Sequence, residues 1–306
     1  VLLSALASQW LTVFGRNLWW SLWAFYLPMA MVMWFFFRRR GSGGNGLRPF
    51  GLVVFIGILI KCVFNGYEYI TTTLIMMTIP LIYYSAVERK GWRRFLGGLL
   101  VAVGASLTAI LLSMAVLCVQ IASVEGSLQK GVDHIVYSFQ RRSYADPQAF
   151  PADYAASLNA DTAGVVATYL KGVYFDLNNY LPVPDGFASR YLFRVRYAYL
   201  ILLFGAASVL LYAVQRRRRR EVEGGEQALI LATWASILAP LSWFVIFRAH
   251  SFIHTHMNFI VWQMPFTLFG FALCGAAVRI LCQSRTARGR QEKGLPGQVE
   301  GAFPRS

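Results

Sequence analysis

FGLVVFIGILIKCVFNGYEYITTTLIMMTIPLIYYSAV, running from Phe50 to Val87, is 38 residues of mostly apolar sequence whose main break is Asn65-Gly66-Tyr67-Glu68. An α-helix rises about 1.5 Å per residue and a bilayer core is about 30 Å thick, so roughly 20 residues make one crossing. The stretch is therefore too long for one pass and the right length for two. Basic residues flank it on both sides, with Arg48 before and Arg89, Lys90, Arg93 and Arg94 after. Lys and Arg mark cytoplasmic loops, so the chain must leave and return, and Asn-Gly supplies the turn. The segment is predicted to be a helical hairpin with Glu68 at its outer tip.

Working outward from this hairpin, an apolar run from Leu18 to Phe37 ends on Arg38-Arg39-Arg40 and places the chain's start outside. Downstream, Phe95 to Ala122 forms a fourth pass, and Tyr197 to Val214 a fifth that returns to Arg216 through Arg220. Ala228–Phe247 and Phe259–Cys282 make a second hairpin, with its outer tip at Arg248–Asn258, and the C-terminus lies in the cytoplasm. Trp19, Trp20, Trp23 and Trp92 stand near the ends of passes, where interfacial aromatic belts form.

The expected fold class is all-α: a polytopic transmembrane bundle of about seven passes in the cell's inner (cytoplasmic) membrane. Residues 1–122 hold an outer N-terminal segment and passes one to four, 123–195 an extracytoplasmic loop, 196–284 passes five to seven, and 285–306 a disordered basic tail. The opening Val1-Leu2-Leu3 shows no cleavable signal pattern, and the missing Met suggests the C-terminal portion of a longer protein.

Composition agrees. With 57% hydrophobic, 15% aromatic and 14% charged residues, the chain is too apolar for a soluble domain of its length. The formal charge of +15 falls in short clusters between apolar runs and so reads as topology, not as a nucleic-acid surface. Cys62, Cys118, Cys274 and Cys282 lie in or beside apolar stretches and read as small packing residues.

The long outer segment, Ser123 to Arg194, is nearly balanced in charge. Val132, Ile135, Val136 and Phe139 recur at helical spacing before Arg141-Arg142, and Val165, Val166, Tyr169, Leu170 and Val173 do so after Asp161, a good N-cap. Two amphipathic helices are expected, lying on the membrane surface or covering a cavity between passes. Arg141 and Arg142 could contact a lipid phosphate or simply be solvated at a helix end.

The candidate chemistry lies on the outer face. His250, His254 and His256 crowd the second tip beside Arg248, and His134 lies in the long loop. The spacing of His250 and His254 puts them on one helical face, as zinc sites do, yet no Cys or acidic residue lies nearby in sequence, so no metal is assigned and Glu68 or His134 would have to complete one. Arginine with imidazoles suits a phosphate, and interfacial imidazoles bonded to water are the plainer reading. Glu68 is the candidate general base, with Lys61 near enough to pair with it instead.

Asn65-Gly-Tyr-Glu-Tyr-Ile-Thr-Thr-Thr73 and Trp243-Phe-Val-Ile-Phe-Arg-Ala-His-Ser-Phe-Ile-His-Thr-His-Met-Asn258, with Trp262 following, resemble stretches of bacterial GT-C glycosyltransferases. That resemblance implies an enzyme that takes a sugar from a polyprenyl-phosphate donor at the outer face, with an acidic base and with basic residues on the lipid phosphate. Glu68 would be the base, and Arg141, Arg142, Arg248, His250, His254 and His256 would grip the phosphate. The chain lacks the family's acidic motif after a first membrane helix. Partners would be membrane lipids and the lipid-linked sugar, with no nucleic acid. The alternatives are a transporter or flippase of lipid-linked glycans, disfavoured by passes almost free of charge, and a non-catalytic integral membrane subunit of a cell-envelope assembly.

Overall fold

The computed structural model describes residues 8, 10–11, 21–39, 46–179, 186–218 and 225–292. Its frame is a bundle of helices that alternate in direction. They are α1 (Leu22–Arg38), α2 (Leu47–Asn65), α3 (Ile70–Val87) and α4 (Trp92–Glu125), then, after the long loop, α7 (Tyr197–Arg218), α8 (Gly225–Ser236), α9 (Leu238–Ile246) and α11 (Phe266–Glu292). The intervening segment contributes α5 (Leu128–Arg142), α6 (Thr162–Lys171) and a two-stranded antiparallel ribbon, β1 (Val173–Asp176) with β2 (Arg194–Arg196). A short α10 (Arg248–Ile253) follows α9.

Among the described residues, six stretches are long and apolar enough to cross a membrane: α2, α3, α4, α7 to Arg216, α8 with α9, and α11 to Gln283. At 17 residues, α1 is apolar but shorter. Their surfaces have the character of membrane helices. On α4 the large residues point out, with Leu100, Val103, Leu107 and Leu111 all more than half exposed, while the buried face is Gly98, Ala102, Ser106 and Ala109. Small residues every three or four positions let helix backbones approach closely where no hydrophobic effect drives packing. An apolar outer face next to a small inner one is what a lipid environment favours and water does not.

The centre of the bundle is α3, packed on α1, α4, α8 and α9. On α1 the inward residues Phe25, Met29, Val32 and Phe36 follow the helical repeat, and Phe36 meets Phe50 of α2 and Tyr84 of α3. Proline interrupts one pass. Pro240 has no N–H to give the carbonyl four residues back, and the α8–α9 pass breaks at Ile237.

At one end lie the α2–α3 turn, α5, α10 and the start of α11, here called the tip end. Arg38, Arg39, Arg89, Lys90, Arg93, Arg94 and Arg216 lie at the other. Helix α4 spans about 51 Å. Its Ser113 hydroxyl sits 3.1 Å from that of Tyr67, so everything after Ser113 stands beyond the turn. The chain reverses at Gly126, and α5 runs back along α4 with Gly131 against Cys118. A Cβ at Gly131 would lie 2.7 Å from the Cys118 carbonyl oxygen. About 22 Å of returning helix brings Arg141 and Arg142 back to the level of the turn.

Both expected loop helices are present, and the Asp161 carboxylate caps α6 by accepting from the Gly164 N–H at 2.6 Å. Val132, Val136 and Phe139 on α5 remain about half exposed, so its apolar stripe is not spent on the bundle. Val173, expected to continue the second helix, instead opens β1. A larger departure concerns the last pass. Residues 259–263, read as its beginning, belong with Asn258 to a 3-10 segment, Asn258–Gln263, buried throughout, and α11 starts at Phe266. The residue before a proline disfavours helical backbone, and Pro265 sets the new start. At its far end α11 continues to Glu292, beyond the boundary at 284, while 293–306 lie outside the described residues. Trp23 and Trp92 are exposed; Trp19, Trp20 and the 41–45 link also lie outside.

Candidate functional site

The turn that carries Glu68 is built from local chemistry. Gly66 sits at φ 55°, ψ −140°, a region essentially closed to residues with a Cβ, and Tyr69 follows in the left-handed region at φ 51°. The fully buried Lys61 holds this backbone, its ammonium donating to the carbonyls of Gly66 at 2.8 Å and Glu68 at 2.6 Å. Asn65 ties the same turn to Ser21, accepting from its N–H and donating to its carbonyl. Lys61 is thus a brace for the main chain, not the partner of the Glu68 carboxylate.

That carboxylate meets two cationic or potentially cationic groups brought from far along the chain. Its Oε1 lies 3.6 Å from Nη2 of Arg142, at the end of α5, and its Oε2 lies 3.3 Å from Nε2 of His250, in α10. The imidazole contact is close but outside hydrogen-bond geometry. Glu68 and His250 are largely buried, at 13% and 10% side-chain exposure, whereas Arg142 at 34% reaches solvent. Burial by itself pushes the Glu68 carboxyl up. The neighbouring His250 and the charges of Arg142 and Lys61 outweigh it and hold the group below its ordinary value.

The other two histidines of the tip follow in a row. The His254 ring is 4.4 Å from that of His250, and His256 is 5.5 Å from His254, centroid to centroid. Burial, aided by repulsion from His250 and His256, pushes His254 down to about 4, so it is neutral near pH 7. Its Nδ1 is buried with no hydrogen-bond partner among the described residues. His134 stays exposed on α5, two turns before Arg142. Among the described residues no three His, Cys, Asp or Glu converge as a metal site.

Two arginines expected beside this cluster serve other purposes. Arg248 donates to the carbonyls of Ala160 and Leu158, each at 2.8 Å, with its guanidinium 4.4 Å from the Tyr144 ring centroid. It clamps the long loop onto α10. Arg141 donates to the Tyr154 hydroxyl and lies against the rings of Tyr137 and Tyr154. Of the expected phosphate-binding residues, then, Arg142, His250, His254 and His256 gather near Glu68, while Arg141 and Arg248 build the loop above it.

No protein-family model, curated protein or solved structure matches this chain.

The site's supports are residues not expected in the site from sequence. The Tyr69 hydroxyl donates to Asn258 Oδ1 at 3.0 Å, and Asn258 Nδ2 reaches the His250 carbonyl at 3.4 Å, so the first hairpin is pinned to the second. Trp243 packs edge-on against both Tyr69 and His250. Tyr169 of α6 donates to the Ser251 carbonyl at 2.7 Å and stacks on Phe244. The available signal was polar residues inside apolar sequence, since such groups must find partners when buried. Beside them a cavity of about 320 Å³ opens between α6 and α10, lined by Asp161, Val165, Tyr169, Ser251 and Thr255 among others.

Chemically, the cluster offers an anionic carboxylate, a partly exposed guanidinium and a row of imidazoles at the end of a membrane bundle. Such a set can bind a phosphate and move a proton.

Proposed function

We propose that this chain is a membrane glycosyltransferase of the GT-C type, acting on a polyprenyl-phosphate-linked sugar at the face that carries Glu68. In this reading the bundle makes seven passes of the cytoplasmic membrane, counting α1. The basic ends and the C-terminus lie in the cytoplasm, and the segment between α4 and α7 lies outside. The observation that carries the proposal is the meeting of Glu68 with Arg142 and His250, three side chains from three separate segments, at the tip end of the bundle.

Arg142, with His250 and His254, receives the donor phosphate. Glu68, held below its ordinary value by its neighbours, is a weak base while it stays paired with them. A phosphate bound to Arg142 and His250 brings negative charge close to the carboxylate and raises its proton affinity, so the base strengthens when donor is bound. The acceptor hydroxyl then passes its proton to Glu68 as it attacks the anomeric carbon, and the lipid phosphate departs with the bonding pair.

Replacing Glu68 with Gln preserves shape and removes the base. Sugar transfer from lipid carrier by the purified protein should fall by about 10²-fold or more, with donor binding kept. Unchanged turnover would remove Glu68 as the base and leave its contacts only joining the two hairpins, and absence of transfer by the unsubstituted protein would favour a non-catalytic subunit.

A further inference from the structure

At the end of the bundle opposite Glu68 a second cavity, of about 190 Å³, lies where α1 and α3 end and α2 and α4 begin. Its floor is apolar, with Phe36, Phe50 and Leu81 buried, and Arg39, Arg89, Lys90 and Arg94 surround it, with Glu88 the sole acidic lining residue among the described residues. Lys90 pairs with Glu88 at 2.9 Å and lies over the Phe36 ring, while the Arg39 guanidinium lies over Phe35. The lining therefore keeps an excess of positive charge above an apolar base.

Basic residues at this end are expected from topology alone, but topology does not require them to converge on one cavity or to occupy positions that oppose local structure. Two of them do oppose it. Arg89 follows α3 at φ 48°, where the Lys90 N–H returns to the Ser85 carbonyl and the Arg89 N–H to that of Ala86, a helix ending that normally takes glycine. Arg94 lies in the first turn of α4, which has no acidic residue, so its charge faces the positive end of the helix dipole. Cations kept against both preferences point to a function other than folding.

We infer that this cavity binds the phosphate headgroup of an anionic membrane phospholipid. The arginines hold the phosphate above Phe36, Phe50 and Leu81, which close the base of the cavity, and the acyl chains stay in the surrounding bilayer. Its place at the membrane boundary and its apolar floor favour a lipid over a free phosphate.

The test uses the full chain, delipidated in detergent, with retained lipid counted by native mass spectrometry. Phosphatidylglycerol and phosphatidylcholine are added in parallel, with inorganic phosphate and glycerol 3-phosphate as tail-free competitors. The chain should retain one phosphatidylglycerol and no phosphatidylcholine, and neither soluble phosphate should displace it. Arg89→Gly with Arg94→Gln removes two cations while relieving both local conflicts. Phosphatidylglycerol binding should weaken at least about tenfold with Tm in detergent unchanged or higher. Equal retention by the double variant overturns the proposal, as does a fall in its lipid-free Tm, which would make the arginines structural. Displacement by either soluble phosphate would assign the cavity to a free anion instead.

Discussion

At the level of single residues, the contrast between Lys61 and Glu68 is instructive. Both are ionisable groups beside apolar runs, and sequence reading allowed them to pair with each other. The ammonium instead satisfies two main-chain carbonyls, which a buried turn must otherwise leave without donors, and this frees the carboxylate for Arg142 and His250. His254 yields a prediction at this scale. Its folded value of about 4 lies below the unfolded 6.5, so between them the unfolded chain takes up a proton that the folded chain refuses. Stability from this source is complete above about pH 6.5 and is lost as pH falls towards about 4. Glu68, also depressed, adds a loss with the same sign at lower pH, as its carboxylate is protonated. Thermal melting in detergent should therefore decline from about pH 7 to pH 5, and His254→Gln should flatten that decline while keeping the steeper fall below it. Parallel curves for the two proteins would show that His254 does not titrate in this window.

At the level of elements, α4 and α5 together work as an arm. The first overshoots the turn, and the second returns along it so that Arg142 arrives beside Glu68, a placement that depends on the close approach of Gly131 to Cys118. Gly131→Leu should push α5 off α4. On the proposed activity, loss of sugar transfer should then match that of Arg142→Ala, with far-ultraviolet circular dichroism unchanged because both helices persist. If Gly131→Leu retains activity that Arg142→Ala loses, the position of Arg142 does not depend on this contact. The same arm separates two neighbours in sequence. Consecutive helical residues point about 100° apart, so Arg142 faces the carboxylate while Arg141 turns to Tyr154.

For the whole molecule, the alternation of helices gives two unlike ends, one with the imidazole and carboxylate cluster and one with the arginines. The proposed orientation makes a direct prediction for single cysteines in a background of native cysteines changed to serine. His134→Cys, exposed on α5, should react with a membrane-impermeant maleimide in intact cells, and Arg93→Cys, exposed at the start of α4, only after permeabilisation. The reverse pattern would invert the topology and move the Glu68 cluster into the cytoplasm.

Some of this architecture was legible in the sequence because its causes are local. The length of an apolar run sets how many crossings it can make, and Asn65-Gly66 marks the hairpin turn. Asp161 marks the start of α6 by the cap it forms. The clustering of Glu68 with His250 and the burial of 258–263 were not legible. They depend on pairs distant in the chain, such as Tyr69 with Asn258, which follow no period. Sequence by itself determined that helices here are built for a membrane and which polar residues were worth watching. Only the tertiary structure decided that Arg142 meets Glu68 and that Arg248 instead clamps the loop, because a guanidinium binds whichever acceptors the packed backbone brings within reach.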